Sequence, residues 1–573
     1  MKIFPCFALM LLLVEANEDW WQTSLMYRIY LRSFRDSDGD GVGDLTGLSM
    51  KLDYLKELAV DAIILSPIYK SPLRDFGFDV SDYYSVNPEY GTMEDMENLI
   101  KKANNLKLKI ILDLVPNHTS NESEWFTKSL FKDEYYDHWY IWENGHIDEN
   151  GQNQPPNNWI SVFGKSAWTY APTRNQFYLH QFGTAQPDLN MRNPVVVDEI
   201  RNIMKFWLEK GIAGFSISSF NHIFEVDKDL FGGAYPDEPI RSLAGVGPGH
   251  YDYLEHIYTT DLRDTYQLLS QLRGVVDAIS IRDNVTRLLI TEARTSIKNT
   301  MRYYGDNQRR GAHVPVNFVL IEEFNQTGDA RDLKYAIDHW LTYKPIKKQA
   351  NWMTGNHDTS RVATRFSEDM VDAFNMMVLL LPGVGITYMG EELGMSDGQV
   401  SWSNTRDPLA CGTDDPVNYM RVSRDPARTP FQWDNTAHAG FSSSAPWLPV
   451  ADSYTSANVR QQGAADRSHL SVYKKLAQLR KRHAFRYGHF DSKVLHPHVF
   501  AFKRSHSDDA TYVVVVNLGR LPHVVSLDAF DMVFGALEVE LSSHGSGRVY
   551  GDIVAANHLE VAPEEAIVLR MTV

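Results

Sequence analysis

From Leu25 onward, short apolar runs alternate with stretches in which apolar residues recur three and four apart. Leu25–Tyr30, Ala62–Ser66, Lys109–Leu114, Gly214–Ser218, Leu288–Thr291, Val314–Leu320, Asn351–Met353 and Gly385–Tyr388 read as strands. Thr92–Asn105, Pro194–Glu209 and Arg331–Leu341 read as amphipathic helices between them. Strand–helix alternation repeated about eight times predicts an α/β fold, a parallel (β/α)8 TIM barrel. Residues 119–187, rich in Trp, Tyr, Asn and Pro, exceed a barrel loop and predict an inserted subdomain. After about Arg482 the period becomes two, as in Val499–Lys503 and Thr511–Val516. That change predicts a C-terminal antiparallel β-sandwich over 483–573 and leaves the barrel to 17–118 and 188–482.

Composition supports one large domain with additions: 43% of the 573 residues are hydrophobic, enough for a sizeable core. Aromatics sit among polar groups at Asp19-Trp20-Trp21 and Asn158-Trp159, a pairing suited to sugar faces. A formal charge of −17 without a basic patch argues against nucleic acid and anionic membranes as partners. Met1–Ala16, one lysine followed by an apolar run and small residues, predicts a cleaved signal peptide over 1–16. No later run reaches the length of a membrane span, and the C-terminal residues lack the apolar tail of a lipid anchor. The mature protein is therefore expected to be secreted and extracellular. Cys6 leaves with the signal, so Cys411 is a lone thiol, expected to be buried and inert. Of the glycosylation sequons, Asn117 lies in an inward-pointing motif, and Asn121, Asn284 and Asn325 are the expected sites.

In a barrel of this kind, functional groups stand at the C-terminal ends of the strands. Those ends carry Asp79 in FGFD, Asp113 to His118 in DLVPNH, then GFSISSF at Gly214–Phe220. Glu292 follows in ITEAR, and His357 with Asp358 in GNHD. Each alone reads as a satisfied polar group of the core. Together, each after a different strand, they predict one site.

The motifs DSDGDGVGD (Asp36–Asp44), FGFDVSDY (Phe76–Tyr83), DLVPNH, QPDLN (Gln186–Asn190), GNHD, GEELGM (Gly390–Met395) and SRDPARTPFQWD (Ser423–Asp434) span most of the chain. From about Trp20 onward it resembles glycoside hydrolase family 13, in the maltase and oligo-1,6-glucosidase branch that includes secreted insect α-glucosidases. The resemblance implies a retaining α-glucosidase acting on α-glucosides such as maltose or sucrose. Its three carboxylates would be a nucleophile after strand four, an acid/base after strand five and a transition-state stabiliser after strand seven. Glu292 matches the acid/base and Asp358 the stabiliser. Asp79, Asp113, His118, His357 and an arginine of SRDPAR, Arg424 or Arg428, match groups around the non-reducing glucose.

Strand four departs from that pattern. Where the family has Gly-Phe-Arg-x-Asp, this chain has Ser216 in place of the arginine and Ser218 in place of the nucleophile. Strand alternation turns both serines into the lumen and Phe215 and Ile217 outward. A serine hydroxyl supplies no charge to an oxocarbenium-like transition state, so hydrolysis is expected to be lost or severely impaired. Asp113 then lacks its arginine. Arg294, where the branch usually has tyrosine, reads as either a solvated loop residue or a new partner for Asp113. On this reading Ser218→Asp alone leaves activity incompletely restored, and Ser216→Arg with Ser218→Asp returns it.

Asp36, Asp38, Asp40 and Asp44 are two or four apart with glycines between them, an oxygen pattern that hard cations favour. The resemblance implies structural calcium there, with the Val42 backbone oxygen helping; a solvated acidic turn is the alternative. Three functions stay open: a non-hydrolysing protein that keeps a glucose pocket, an active retaining exo-α-glucosidase in carbohydrate digestion, and a non-catalytic scaffold or receptor.

Overall fold

The computed structural model describes residues 19–571. The expected signal peptide, with Cys6, lies outside the described residues. Eight parallel strands form one sheet, in the order Val314–Pro315, Leu288–Thr291, Gly214–Ile217, Lys109–Leu114, Ala62–Leu65, Leu25–Ile29, Val384–Tyr388, Asn351–Trp352. The two edge strands are joined by side-chain amides. Asn351 Nδ2 donates to the Pro315 carbonyl at 2.7 Å, and Asn317 Nδ2 to the Asn351 carbonyl at 3.0 Å. The sheet thereby closes into the predicted barrel.

Alternation along the strands separates two packing faces. Met26, Ile64, Ile111, Ile290, Val314 and Ile386 fill the lumen. Tyr27, Ile63, Leu112, Phe215 and Leu289 face outward into the main core with the helices. Both faces are dry, so these strands read as unbroken apolar runs. The expected strand Val314–Leu320 is cut to Val314–Pro315, and Val319–Glu322 is helical. Pro315 lacks a ladder donor, and Asn317 Oδ1 accepts from Val319 N at 3.0 Å, which turns the chain.

The helices follow their caps. Thr92 and Asp95 make a capping box for Met93–Asn105, which buries Met96, Leu99, Ile100 and Ala103. Asn193 caps Pro194–Glu209, with proline at the first turn.

The insert leaves and rejoins the barrel at a bridge between His118 and Asp188. It holds a three-stranded sheet of Trp142–Glu143, Gln176–Leu179 and Trp168–Ala171 around Trp159, Trp168 and Phe177. The C-terminal region is a six-stranded antiparallel sheet running from His489 to Met571. One face, with Phe500, Phe502, Val514 and Val568, joins the main core. The other, with Ala501, Val513, Val515 and Leu569, packs beneath Val525, Leu527, Phe530 and Val561. The second layer of the expected sandwich is thus a two-stranded ribbon, His523–Val525 with Leu559–Val561, and a turn.

Among the described residues no helix is long and apolar enough to cross a membrane. Asn117 is buried, while Asn121, Asn284 and Asn325 are exposed. Cys411 corrects the sequence expectation: it ends the short helix Pro408–Cys411 in a surface loop and is exposed. Partial burial and the charges of Asp425 and Asp407 still raise its thiol, which keeps it protonated.

Candidate active site

One position beyond the apolar layer, the lumen becomes polar. Arg28 follows Met26, Asp113 follows Ile111, Ser216 and Ser218 follow Gly214, and Glu292 follows Ile290, each on the inward parity. A cavity of about 1040 Å³ opens above them, lined by Asp75, His118, Ser218, Glu292, His357, Asp358 and Arg424. Phe163 and Phe182 from the insert and Tyr251 from the loop after strand four add aromatic wall. The volume is at the upper end of small-molecule sites.

The strand-seven side is fully assembled. Buried Arg428 donates Nη2 to Asp358 Oδ1 at 2.7 Å and Nε to the His357 carbonyl at 2.8 Å. Arg424 Nη1 lies 3.7 Å from the same Asp358 oxygen, and its Nη2 is 2.8 Å from Asp75 Oδ1. His357 stacks between Tyr30 and Phe78, with centroids 5.4 and 5.3 Å away. Burial raises the Asp358 carboxyl, but His357, Arg428 and Arg424 outweigh it and hold it well below the usual carboxylate range. Burial also pushes His357 well below its ordinary value, so at neutral pH the arginines carry the effect. Asp358 therefore presents a fixed anion to the cavity. Burial lowers His118 to about 4, leaving it neutral. Its Nε2–H donates to the Phe78 carbonyl at 3.0 Å, and Nδ1 accepts from Asn117 Nδ2 at 3.2 Å.

On the strand-four side, Ser216 is completely buried and donates Oγ–H to Glu292 Oε1 at 2.6 Å. Ser218 lies at the cavity surface beside Glu292; Glu292 N bonds the Ile217 carbonyl at 2.8 Å. Among the described residues the Ser218 hydroxyl has no hydrogen-bond partner. Asp113 is paired, but not by Arg294. The cation is Arg28 of strand one, whose Nη2 meets Asp113 Oδ2 at 2.7 Å while Nη1 bonds Glu292 Oε1. Burial pushes the Asp113 carboxyl up to about 7, with Arg28 opposing and Glu292 adding to it. Arg294 stays on the rim, half exposed, donating to Thr359 Oγ1 at 3.2 Å and 3.6 Å from Glu322.

The other expected residues divide. Glu292, Asp358, Ser218, His118, His357 and Arg424 line the cavity; Ser216, Asp113 and Arg428 lie behind its wall. Asp79 turns away. It accepts from Arg74 N, Asp75 N and Ser71 Oγ at 2.8, 2.9 and 3.0 Å, which ties the loop together. Asp75 takes the place in the wall that the sequence reading gave to Asp79.

The acidic turn is only partly convergent. Asp36, Asp38 and Asp40 bring carboxylate oxygens within 4.8 Å of one another. Asp44 stands outside that cluster, capping the next helix through Gly47 N at 2.7 Å and accepting from Ser37 Oγ at 2.8 Å. Burial and the charges of Asp38 and Asp36 raise the Asp40 carboxyl, a repulsion that a cation would relieve.

Residues 28–488 match the family described as "Alpha amylase, catalytic domain". Maltase A1 of Drosophila melanogaster is 45% identical over 556 residues, covering 96% of both chains. The salivary alpha-glucosidase of Anopheles gambiae is also 45% identical, covering 96% of this chain and 93% of its own. The solved structure of an alpha-glucosyl transfer enzyme, XgtA, is similar with a TM-score of 0.84 at 31% identity, over 97% of this chain and 100% of that one.

The chain belongs to glycoside hydrolase family 13. As a family 13 site its cavity is uneven: the ends of strands five and seven present carboxylates, Glu292 and Asp358, and the end of strand four presents Ser218. Arg28 is what sequence reasoning missed. The available signal was an arginine at an inward position of an otherwise apolar strand, Leu25–Ile29. Asp75 had no such signal, because it enters a turn with Phe76 and Gly77 at positive φ, where alternation does not apply.

Proposed function

We propose that this protein is a secreted member of the maltase branch that binds a glucose unit of an α-glucoside without hydrolysing it. The observation that carries the reading is the unengaged Ser218 hydroxyl. A serine becomes a nucleophile when a base stands within hydrogen-bond reach of it, and none of the described residues does. Nor does a hydroxyl supply the negative charge that a carboxylate brings to an oxocarbenium-like transition state. Losing an activated nucleophile removes many powers of ten in rate, about 1.4 kcal/mol for each. Sugar retention is supported by the opposite wall, where the Asp358 anion and the Arg424 cation stand beside aromatic faces in the manner of a polyol site. Secretion is supported by the apolar leader and by the salivary relative.

Two assays test this together: glucose release from maltose, sucrose and a chromogenic α-glucoside, and calorimetric titration with maltose. The expected outcome is no release above background and a binding heat whose affinity falls about tenfold or more in Asp358→Asn, the scale of one charge-assisted hydrogen bond. Turnover by the parent protein contradicts the reading; absence of any binding heat moves it to the scaffold alternative.

We also propose that Asp36, Asp38 and Asp40 hold a calcium ion as a structural clip. Asp36 already accepts from Gly39 N at 2.7 Å and Gly41 N at 2.9 Å, so the loop is shaped around its carboxylate. A chelator is expected to lower the melting temperature by several degrees, and Asp38→Asn to remove that response. An unchanged melting temperature on chelation rejects the clip.

A further inference from the structure

Arg28 has a consequence that neither serine shows alone. Asp113 and Ser216 are direct neighbours across paired strands, and Glu292 begins the loop after the next strand. Two buried carboxylates therefore converge here, and like charges so placed repel unless a cation stands between them. Arg28 provides it from across the lumen, with a guanidinium bond to each. The Ser216 hydroxyl bonds the same Glu292 oxygen that Arg28 Nη1 bonds, so the guanidinium occupies the space beside a short side chain at 216. The fit is incomplete in one respect: the Ser216 hydroxyl also stands close enough to Asp113 to lower its carboxyl, but its proton goes to Glu292, and buried Asp113 Oδ1 is left without a donor of its own. Arg28 serves one oxygen of Asp113 where a longer donor from position 216 would stand directly opposite.

We propose that Arg28 is a positioning residue that has taken over, from strand one, the cationic role of the position now held by Ser216. It fixes Glu292 and Asp113, and positions 28 and 216 are alternatives for a single guanidinium. The consequence reverses the expectation drawn from the sequence. Ser218→Asp adds a carboxylate to a site where Asp113 and Glu292 already share a cation, so it restores turnover by itself. Ser216→Arg brings a second guanidinium against the first and is harmful while Arg28 remains.

The test is a set of full-length variants: Arg28→Gln, Ser216→Arg and their double, each also combined with Ser218→Asp, with melting temperature and kcat/KM on a chromogenic α-glucoside measured for all. The melting arm is independent of activity, and so of the reading of Ser218. Arg28→Gln and Ser216→Arg should each lower the melting temperature, and together they should return it close to the parent, a coupling of opposite sign to additivity. In the turnover arm, which rests on the proposed loss of hydrolysis, Ser218→Asp should rise about a hundredfold or more over background. Adding Arg28→Gln or Ser216→Arg alone should cut that gain at least about tenfold, and adding both should recover it. A purely structural role would move the melting temperature of Arg28→Gln without rescue by Ser216→Arg. Additive melting shifts overturn the proposal. So does a silent Ser218→Asp, or a Ser216→Arg/Ser218→Asp pair that outperforms Ser218→Asp with Arg28 intact. Parent turnover would instead count against the proposed function and leave the melting arm to judge Arg28.

Discussion

The two sides of the cavity balance buried charge in different ways. On the strand-seven side, the carboxylate takes its cations from the loop of residues 423–434: Arg428 bonds Asp358 from beneath, and Arg424 in the cavity wall lies 3.7 Å from the same oxygen. On the strand-four side, two carboxylates share one cation, and it comes from across the barrel. The first arrangement has redundancy and an opening to the cavity, with Asp358 about one-third exposed. The second has no redundancy and a narrower opening, since Arg28 and Asp113 are almost wholly enclosed and only Glu292 reaches the cavity. The contrast separates chemistry from charge balance: strand four ends in the uncharged Ser218, yet the buried carboxylates beside it remain paired.

The sharpest way to break that comparison is Arg28→Met. Removing the shared cation leaves Asp113 and Glu292 facing each other, and stability to denaturant should fall by about 3–5 kcal/mol. Acid comes next in size. His222, in the cavity wall just after strand four, is pushed down to about 3 by burial, with His256 and His118 adding to it. A group with a depressed pKa contributes stability that is complete above its ordinary value of 6.5 and declines as pH falls toward 3. The decline approaches about 1.4 kcal/mol per pH unit, and His222→Gln should remove that share of the slope between pH 6.5 and 4. An identical slope in the variant shows that His222 is not held neutral. Arg428→Met should cost roughly half as much as Arg28→Met, because Arg424 and cavity water still meet Asp358. A larger loss than for Arg28→Met would reverse the assignment of which side is fragile. The smallest effect belongs to Arg294→Ala, at less than about 0.5 kcal/mol, since that arginine is half exposed on the rim. A larger loss there would mean that Arg294 reaches the buried carboxylates after all.

Sequence reasoning served best where a periodic strand ends in a polar residue. The apolar runs Lys109–Leu114 and Leu288–Thr291 lead directly to Asp113 and Glu292 at their C-terminal ends, and GNHD gives His357 and Asp358. It served less well in turns. DFGFD (Asp75–Asp79) holds two aspartates around a glycine, and only the folded loop shows Asp75 in the wall and Asp79 as a staple. In SRDPAR, the division between Arg424 in the wall and Arg428 beneath Asp358 depends on a 3-10 turn at Asp425–Arg428. DSDGDGVGD reads as four equivalent ligands, yet Asp44 is drawn off by the helix that begins at Leu45. Arg28 is a failure of another kind. Its inward parity was readable, but its meaning depends on residues 85 and 264 positions away, which no local pattern connects to it.

The account stands or falls on a pocket that holds sugar and leaves it whole. The direct measurement is saturation-transfer difference NMR on maltose with the parent protein, followed for several hours in one sample. The account predicts saturation transfer to one glucose ring and a free-glucose signal no larger than in the protein-free blank. Free glucose that accumulates in proportion to protein concentration would contradict it.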